Sequence, residues 1–176
     1  MQRFTVRQGY LAGFLICAGL IAFALYLQYV VGEDPCPLCM LQRIAFIALG
    51  IVFLAAAVHD PRRTAALVYG VLLAVFALAG AAIAGRHVWL QSLPSNMVPE
   101  CGPGLDFILE RFPLGKAIEL VLRGSGECAE KGWTFLGLTI AGWSLVWFVL
   151  LALLAVGLTL AAMRSNPRPR SEASRA

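Results

Sequence analysis

The segment EDPCPLCMLQRIAFIALGIVFLAAAV, residues 33–58, joins two closely spaced cysteines to a long apolar run. Within that run the only charged residue is Arg43. A helix of about 20 mostly apolar residues crosses a bilayer core that is about 30 Å thick. The segment therefore predicts a transmembrane helix that begins near Cys36 and Cys39 and carries an arginine inside it.

The composition of the whole chain also indicates a membrane protein. Of its 176 residues, 60% are hydrophobic and 14% are charged, and the mean hydropathy is +0.78. Soluble domains average roughly 45–50% apolar and about 25% charged residues. The net charge is only +4, and the basic residues are scattered or terminal, which argues against a nucleic-acid-binding protein.

Four segments are long and apolar enough to span a bilayer. They cover residues 10–31, 38–58, 64–84 and 138–163, and they leave a long loop at 85–137 and a polar tail at 164–176. Glycines inside the spans are expected to let helix backbones approach closely, and they include Gly13, Gly19, Gly50, Gly70 and Gly80. The sequence therefore predicts an all-α membrane protein, a four-helix transmembrane bundle in one domain over residues 1–163, with a disordered tail.

The positions of the basic residues predict the orientation. Arginines occur in the N-terminal tail, in the loop HDPRRT at residues 59–64 and in the C-terminal tail, whereas the loop GEDP at residues 32–35 has none. Because basic residues are enriched in cytoplasmic loops, we expect both termini to be cytoplasmic. The cysteine-bearing turn and the long loop would then face the oxidising periplasm of a bacterium. The first apolar run is too long for a cleaved signal peptide, so we expect it to be retained.

The five cysteines fall into two groups. Cys17 lies in the middle of a span, where a lone cysteine is expected to act as a small hydrophobic residue. Cys36, Cys39, Cys101 and Cys128 lie at or beyond the outward face, where disulfides persist. Taken alone, Cys101 and Cys128 would suggest a structural disulfide. Beside a second pair at the membrane, a relay between the two pairs is the favoured interpretation.

The first turn of the second span makes its two cysteines unequal. Pro37 has no backbone N–H and suits the first helical position, so Cys36 becomes the N-cap and Cys39 the third helical residue. Free backbone N–H groups and the helix dipole would stabilise a thiolate at Cys39. Arg43 lies one turn further on the same face, where an arginine is costly in lipid and indicates a function. We therefore predict that Cys39 is the reactive, cofactor-facing thiolate, that Arg43 stabilises it or binds a polar head group, and that Cys36 exchanges with other thiols.

Two alternatives concern metal and proton chemistry. Cys36 and Cys39 are compatible with half of a four-thiolate zinc or iron–sulfur site, but Cys101 and Cys128 do not form a second CxxC, so no metal site is predicted. His87, in the sequence GRHVWLQ, is compatible with a proton donor near the outward surface or with a hydrogen-bonded structural residue.

Several motifs together resemble the DsbB family, the bacterial inner-membrane disulfide bond formation proteins B. They are PCPLCMLQR at 35–43, RHVWLQ at 86–91, a single Cys101 in the loop and GECAEKGWTFLGL at 126–138. The resemblance extends from about residue 10 to residue 160. In one respect the chain differs, because Gln42 is an acidic residue in some relatives.

The resemblance implies a relay of electron pairs. The family reoxidises the periplasmic dithiol oxidase DsbA and reduces a membrane quinone, either ubiquinone or menaquinone. By motif, Cys101 would be attacked by DsbA and Cys128 would be its partner. That pair would be reoxidised by Cys36 and Cys39, with Cys39 facing the quinone. Arg43 would lie beside the quinone, and His87 matches a position near the family's quinone site.

Two other functions compete with this one. A protein resembling vitamin K epoxide reductase also pairs a four-helix bundle with a CxxC, but there the motif starts the final span. A non-catalytic membrane scaffold with two structural disulfides would leave Arg43 unexplained, because a charge inside a span is costly.

Overall fold

The computed structural model describes residues 2–61, 63–94, 111, 113, 115–116, 119, 124, 126–130 and 132–164. Cys101 and the tail from residue 165 lie outside these ranges. The helices are α1 (Gln2–Tyr26), α2 (Pro37–His59), α3 (Arg63–Gln91), α4 (Gly126–Ala129) and α5 (Ile140–Arg164). A π-helical turn, Leu27–Val31, continues α1, and strands β1 (Thr134–Phe135) and β2 (Leu138–Thr139) form an antiparallel hairpin.

Four helices are long and apolar enough to cross a membrane, which confirms the four predicted spans. Their membrane-length parts are Val6–Val31, Pro37–His59, Thr64–Gln91 and Ile140–Arg164. Helix α2 packs against α1 and α3, and α5 packs against the other sides of α1 and α3, so the four close into a ring. Large apolar side chains remain exposed on the outer surface, as a lipid-facing bundle requires.

Glycines allow the helices to approach closely, as expected for most of the positions named from the sequence. A Cβ atom added at Gly80 would overlap the ring of Phe148 on α5, and one added at Gly13 would lie 2.7 Å from the ring of Phe53 on α2. The Phe148 ring itself stacks on Phe46 with centroids 3.9 Å apart. The expectation is wrong for Gly19, where an added Cβ meets nothing within 4 Å.

Three predicted boundaries move. Helix α1 begins at Gln2 rather than at residue 10. Helix α3 continues to Gln91 instead of ending at residue 84, so His87 lies on a helix and not in the loop. The polar residues of RHVWLQ lower the hydropathy, but they are compatible with a helix that extends into the interfacial region. The last helix begins at Ile140 rather than at residue 138, because Leu138 and Thr139 pair as β2 with β1.

The elements that carry the candidate site all meet at one end of the bundle. These are the π-helical turn after α1, the start of α2, the end of α3, the start of α5 and the short α4 that packs against α2 and α3. The up-and-down connectivity of the helices brings these termini together, which places residues far apart in the sequence side by side.

Candidate redox site

The start of α2 has the geometry that its sequence predicts. Cys36 is the N-cap, with an extended backbone (φ −66°, ψ 162°), and Pro37 is the first helical residue. The Cys36 sulfur accepts a hydrogen bond from the backbone N–H of Cys39 at 3.3 Å. Cys39 therefore lies in the first turn, where backbone N–H groups without intrahelical partners and the helix dipole stabilise a thiolate.

The sulfur of Cys36 lies at the centre of a buried cluster. Its thiol donates to the Cys39 sulfur at 2.9 Å, and it lies 3.7 Å from Nε2 of His87. Cys128 adds a third group, since the sulfur atoms of Cys36 and Cys128 and a ring nitrogen of His87 all lie within 4.8 Å of one another. All three residues are buried, and Cys128 is fully so. A thiol exchange between Cys36 and Cys128 would therefore take place shielded from bulk water.

Helix α3 fixes the position of Cys128. The cysteine lies in the single turn of α4 and packs with Leu38 and Leu90. Gln91, at the end of α3, holds the chain that follows: its side-chain amide N–H donates to the carbonyl of Glu130 at 3.2 Å, and its amide oxygen accepts from the Thr139 hydroxyl at 2.7 Å. These contacts attach the segment after α4 and the hairpin to the bundle.

His87 is held between the thiol cluster and a buried amide. Its Nδ1 lies 3.1 Å from Nε2 of Gln42, one helical turn beyond Cys39 on α2. If the amide N–H donates to Nδ1, the ring carries its proton on Nε2 and directs it at the Cys36 sulfur. Gln42 is only 3% exposed, so this hydrogen bond satisfies a polar group that would otherwise be buried alone.

The guanidinium of Arg43 reaches across to α1. It donates to the side-chain oxygen of Gln28 in the π-helical turn, and to the carbonyl of Ala24 at 3.1 Å. A weaker contact joins it to the sulfur of Met40 at 3.9 Å. Among the described residues these acceptors are uncharged, so the positive charge of Arg43 remains available to a ligand or a thiolate.

A cavity of about 520 Å³ opens beside the cluster, a size typical of small-molecule sites. It lies between α1, α2, the end of α3, the hairpin and the start of α5. Cys36, Cys39, Arg43 and His87 all line it. Most of the remaining wall is apolar and aromatic, with the indole rings of Trp133, Trp143 and Trp147.

The structure brings five of the six site residues predicted from the sequence, all except Cys101, to this end of the bundle. Cys101 lies outside the described residues. The sequence interpretation missed three amide side chains. Gln42 contacts His87, Gln28 contacts Arg43, and Gln91 holds the segment that follows Cys128. A signal for them existed, because an amide inside or at the end of an apolar span is costly unless it is hydrogen-bonded.

Four membrane-length helices around a buried group of cysteines define a polytopic membrane protein with a thiol redox centre. Residues 6–158 match the family described as disulfide bond formation protein DsbB. The chain is 53% identical over 155 residues to disulfide bond formation protein B of Nitrosococcus oceani, covering 88% of this chain and 92% of that protein. It is 57% identical over 145 residues to the protein of the same name from Hahella chejuensis, covering 82% and 88% of the two chains.

A third relative, disulfide bond formation protein B of Xanthomonas oryzae pv. oryzae, is 47% identical over 165 residues, which are 93% of this chain and 96% of the relative. The chain therefore belongs to the DsbB family. It is a multi-pass membrane protein and a disulfide-forming oxidoreductase. This membership argues against both competing interpretations, a protein resembling vitamin K epoxide reductase and a non-catalytic scaffold.

Proposed function

We propose that this protein reoxidises a DsbA-like periplasmic dithiol oxidase and passes the electron pair through two cysteine pairs to a membrane quinone. The observation that carries the proposal is the position of Cys36, whose sulfur has Cys39 on one side and Cys128 on the other. A cysteine in that position can exchange with both pairs.

The first step is disulfide exchange with the soluble partner. A thiolate of the reduced partner attacks Cys101 of a Cys101–Cys128 disulfide, which forms a mixed disulfide and releases Cys128 as a thiolate. The second cysteine of the partner then attacks the partner's first cysteine in the mixed disulfide and releases Cys101. The partner leaves oxidised, and Cys101 and Cys128 hold the electron pair as a dithiol.

The second step passes the pair to the membrane. The Cys128 thiolate attacks the Cys36 sulfur of a Cys36–Cys39 disulfide, so a Cys36–Cys128 bond forms and Cys39 leaves as a thiolate. Attack of Cys101 on Cys128 then restores the Cys101–Cys128 disulfide and leaves Cys36 and Cys39 reduced. The first turn of α2 suits Cys39 to be the leaving group, because its N–H groups and dipole stabilise negative charge there.

The cavity fits a quinone head group. It has the volume of a small-molecule site, its wall is mostly apolar and aromatic, and Cys39 and Arg43 both line it. A bound ubiquinone or menaquinone would accept two electrons and two protons and would leave as the quinol. Arg43 is suited to hold a quinone oxygen, since its charge has only neutral protein partners among the described residues.

His87 is suited to move a proton at the Cys36 sulfur. Its Nε2 lies 3.7 Å from that sulfur, and its Nδ1 is held by Gln42. When Cys36 is released as a thiolate, a doubly protonated ring can donate its Nε2 proton to it, with the Gln42 amide turned so that its oxygen accepts from Nδ1–H. The neutral ring can take the proton back when Cys36 is oxidised. His87 also lines the cavity, so it serves the exchange and contributes to the quinone site.

The arginine distribution supports an inner-membrane orientation with both termini in the cytoplasm and the active cysteines in the periplasm. The cysteine cluster lies at the end of the bundle opposite Arg7, which donates to the carbonyl of Ala57 near the other end. A bacterial periplasm is kept oxidising by a DsbA–DsbB–quinone system, so this orientation gives the cysteines the partner that they require.

The proposal is tested with the purified protein in detergent, a reduced DsbA-like protein and a soluble quinone. We expect catalytic oxidation of the dithiol coupled to quinone loss, and no quinone reduction by Cys39→Ser. Mixed with the oxidised partner instead, Cys128→Ser should form a mixed disulfide at Cys101, because the Cys101 thiolate attacks the partner's disulfide and releases the partner's second cysteine. Turnover that continues without Cys39, or an adduct that forms at Cys36 instead, would overturn the mechanism.

A further inference from the structure

Three buried side chains lie close enough together to be candidate ligands of one divalent cation. They are Cys36, His87 and Cys128, whose ligand atoms all lie within 4.8 Å of one another. Thiolate sulfur and imidazole nitrogen are the ligands that zinc prefers. With Zn–S bonds of about 2.3 Å and Zn–N bonds of about 2.0–2.1 Å, the ligand atoms of a tetrahedral site lie roughly 3.5–3.8 Å apart. The Cys36 sulfur and His87 Nε2, at 3.7 Å, already have that spacing.

We propose that the fully reduced protein binds a divalent zinc ion at Cys36, His87 and Cys128, and that the ion arrests the relay while it is bound. The site differs from the structural four-thiolate site considered from the sequence, because it includes a histidine and exists only while both cysteine pairs are reduced. Oxidation removes it, since a sulfur in a disulfide is no longer a thiolate ligand.

The charge of the complex suits a buried position. Two thiolates and a neutral imidazole balance the two charges of the ion, so the cluster is neutral in a region where an unpaired charge would be costly. Binding releases one proton from each thiol that becomes a ligand, and no electron moves. A water molecule completes the fourth position, because Cys39 lies only 2.9 Å from Cys36, closer than two ligands of one zinc ion.

The surroundings of the cluster also suit a metal. Cys36 and His87 line the cavity, which gives an ion a path from the surface. A histidine that binds a metal through Nε2 is oriented by a partner at Nδ1, and here Gln42 lies 3.1 Å from that atom. The amide can turn to present its oxygen to Nδ1–H, so it can support both the metal-bound ring and the ring that donates to Cys36.

Binding can be measured without the relay. The full-length double variant Cys39→Ser/Cys101→Ser keeps the three proposed ligands and cannot pass electrons. If this variant fails to bind Zn²⁺, that result is therefore distinct from a failure of the proposed function. In detergent and reduced with a phosphine, it should bind about one Zn²⁺ per chain. Bound Co²⁺ should give the visible bands and the sulfur-to-metal charge-transfer band of a tetrahedral thiolate site.

Matched substitutions in that background identify the ligands. His87→Ala should weaken Zn²⁺ binding by roughly tenfold or more, and Cys36→Ser should abolish the charge-transfer band. His59→Ala and Cys17→Ser, which change the other histidine and a core cysteine, should leave both unchanged. Thermal unfolding verifies that each variant is folded. Equal Zn²⁺ affinity in the His87→Ala and His59→Ala proteins would overturn the proposal.

The consequence for turnover rests on the proposed function and is measured separately. Zn²⁺ added to fully reduced wild-type protein should block its reoxidation by quinone, and a chelator should restore it. The same Zn²⁺ added to the fully oxidised protein should not be retained after gel filtration. Retention of one ion by the oxidised protein would show that the ligands are not these thiolates and would overturn the proposal.

Discussion

In the proposed relay, Cys36 acts through its position just outside the first turn of α2. As the N-cap, its sulfur is free to face both Cys39 and the buried Cys128, whereas a cysteine inside the helix would be tied to one face. The unequal roles of the two cysteines follow from Pro37, which fixes where the helix begins. The N-cap assignment and the helical position of Cys39 were both predictable from PCPLC alone, because these depend only on local backbone chemistry.

The contacts between site residues that lie far apart in the sequence were not predictable from the sequence. Gln42 and His87 are separated by 45 positions in the sequence, and Cys36 and His87 by 51. Such pairings depend on how α2 and α3 pack, and a single sequence does not encode that packing in a readable pattern. The same holds for Cys128, which reaches Cys36 only because α4 packs on α2 and α3.

Gln42 is expected to be a positioning residue for His87. Gln42→Leu removes the group at Nδ1, so the proton on Nε2 is no longer held toward Cys36, and electron transfer from Cys128 to Cys36 should slow roughly fivefold, the effect of losing about 1 kcal/mol. Gln42→Glu should restore the rate, because a carboxylate accepts from Nδ1–H and favours the doubly protonated ring, which also carries a proton on Nε2. Rapid-quench measurement of the thiol states gives these rates. A Gln42→Glu rate as slow as that of Gln42→Leu would contradict the assignment.

Arg43 is expected to contribute to quinone binding. Arg43→Leu should raise the KM for a soluble quinone by about tenfold or more, because a hydrogen bond to a charged group contributes roughly 1.5–3 kcal/mol. Steady-state kinetics with varied quinone measures the effect. The matched control is Arg7→Leu, at the other end of the bundle, which should leave this KM unchanged. A change in both variants would indicate a general effect on the bundle.

At the scale of elements, the apolar runs defined the spans well but not their ends. Hydropathy falls within RHVWLQ, although the backbone hydrogen bonds of α3 continue to Gln91. A helix end in the interfacial region is set by hydrogen bonding and packing rather than by lipid, so its position is invisible to hydropathy. The hairpin before α5 was missed because its strands are only two residues long.

Close packing of α3 on α5 should depend on Gly80. Gly80→Ala places a methyl group against the Phe148 ring, which is itself stacked on Phe46 and cannot easily move aside. We expect a loss of about 1–3 kcal/mol in stability and a lower Tm in detergent. Gly85→Ala, on the same helix with nothing within 4 Å, is the control and should not lower the Tm. Equal Tm values for the two variants would contradict this account of the interface.

At the scale of the whole molecule, the up-and-down ring of four helices gathers the redox residues at one end. In the proposed relay, neither the Cys36–Cys39 pair nor the Cys101–Cys128 pair could serve both a soluble thiol and a lipid-soluble acceptor. The bundle places the start of α2 between α4, which carries Cys128, and the cavity lined by Cys39. The family and the bundle were predictable from motifs and hydropathy, whereas the cavity and its mostly apolar and aromatic wall emerge only from the packed helices.

The arginine distribution predicts where the C-terminus lies. A green fluorescent protein fused after Ala176 should fluoresce, because that protein folds in the cytoplasm, and an alkaline phosphatase fused at the same point should be inactive. The reverse pair of results would place the cysteine cluster in the cytoplasm and would be incompatible with a periplasmic partner.

The central claim is that electrons enter the membrane-side pair through a Cys36–Cys128 bond. A single-turnover experiment tests it most directly: oxidised protein supplied with quinone is mixed with a reduced DsbA-like protein, quenched in acid, alkylated and mapped by mass spectrometry. We predict a transient Cys36–Cys128 disulfide with Cys39 alkylated, which forms before quinol appears. Quinol that appears while Cys36 is linked only to Cys101, or directly to the partner protein, would contradict the account.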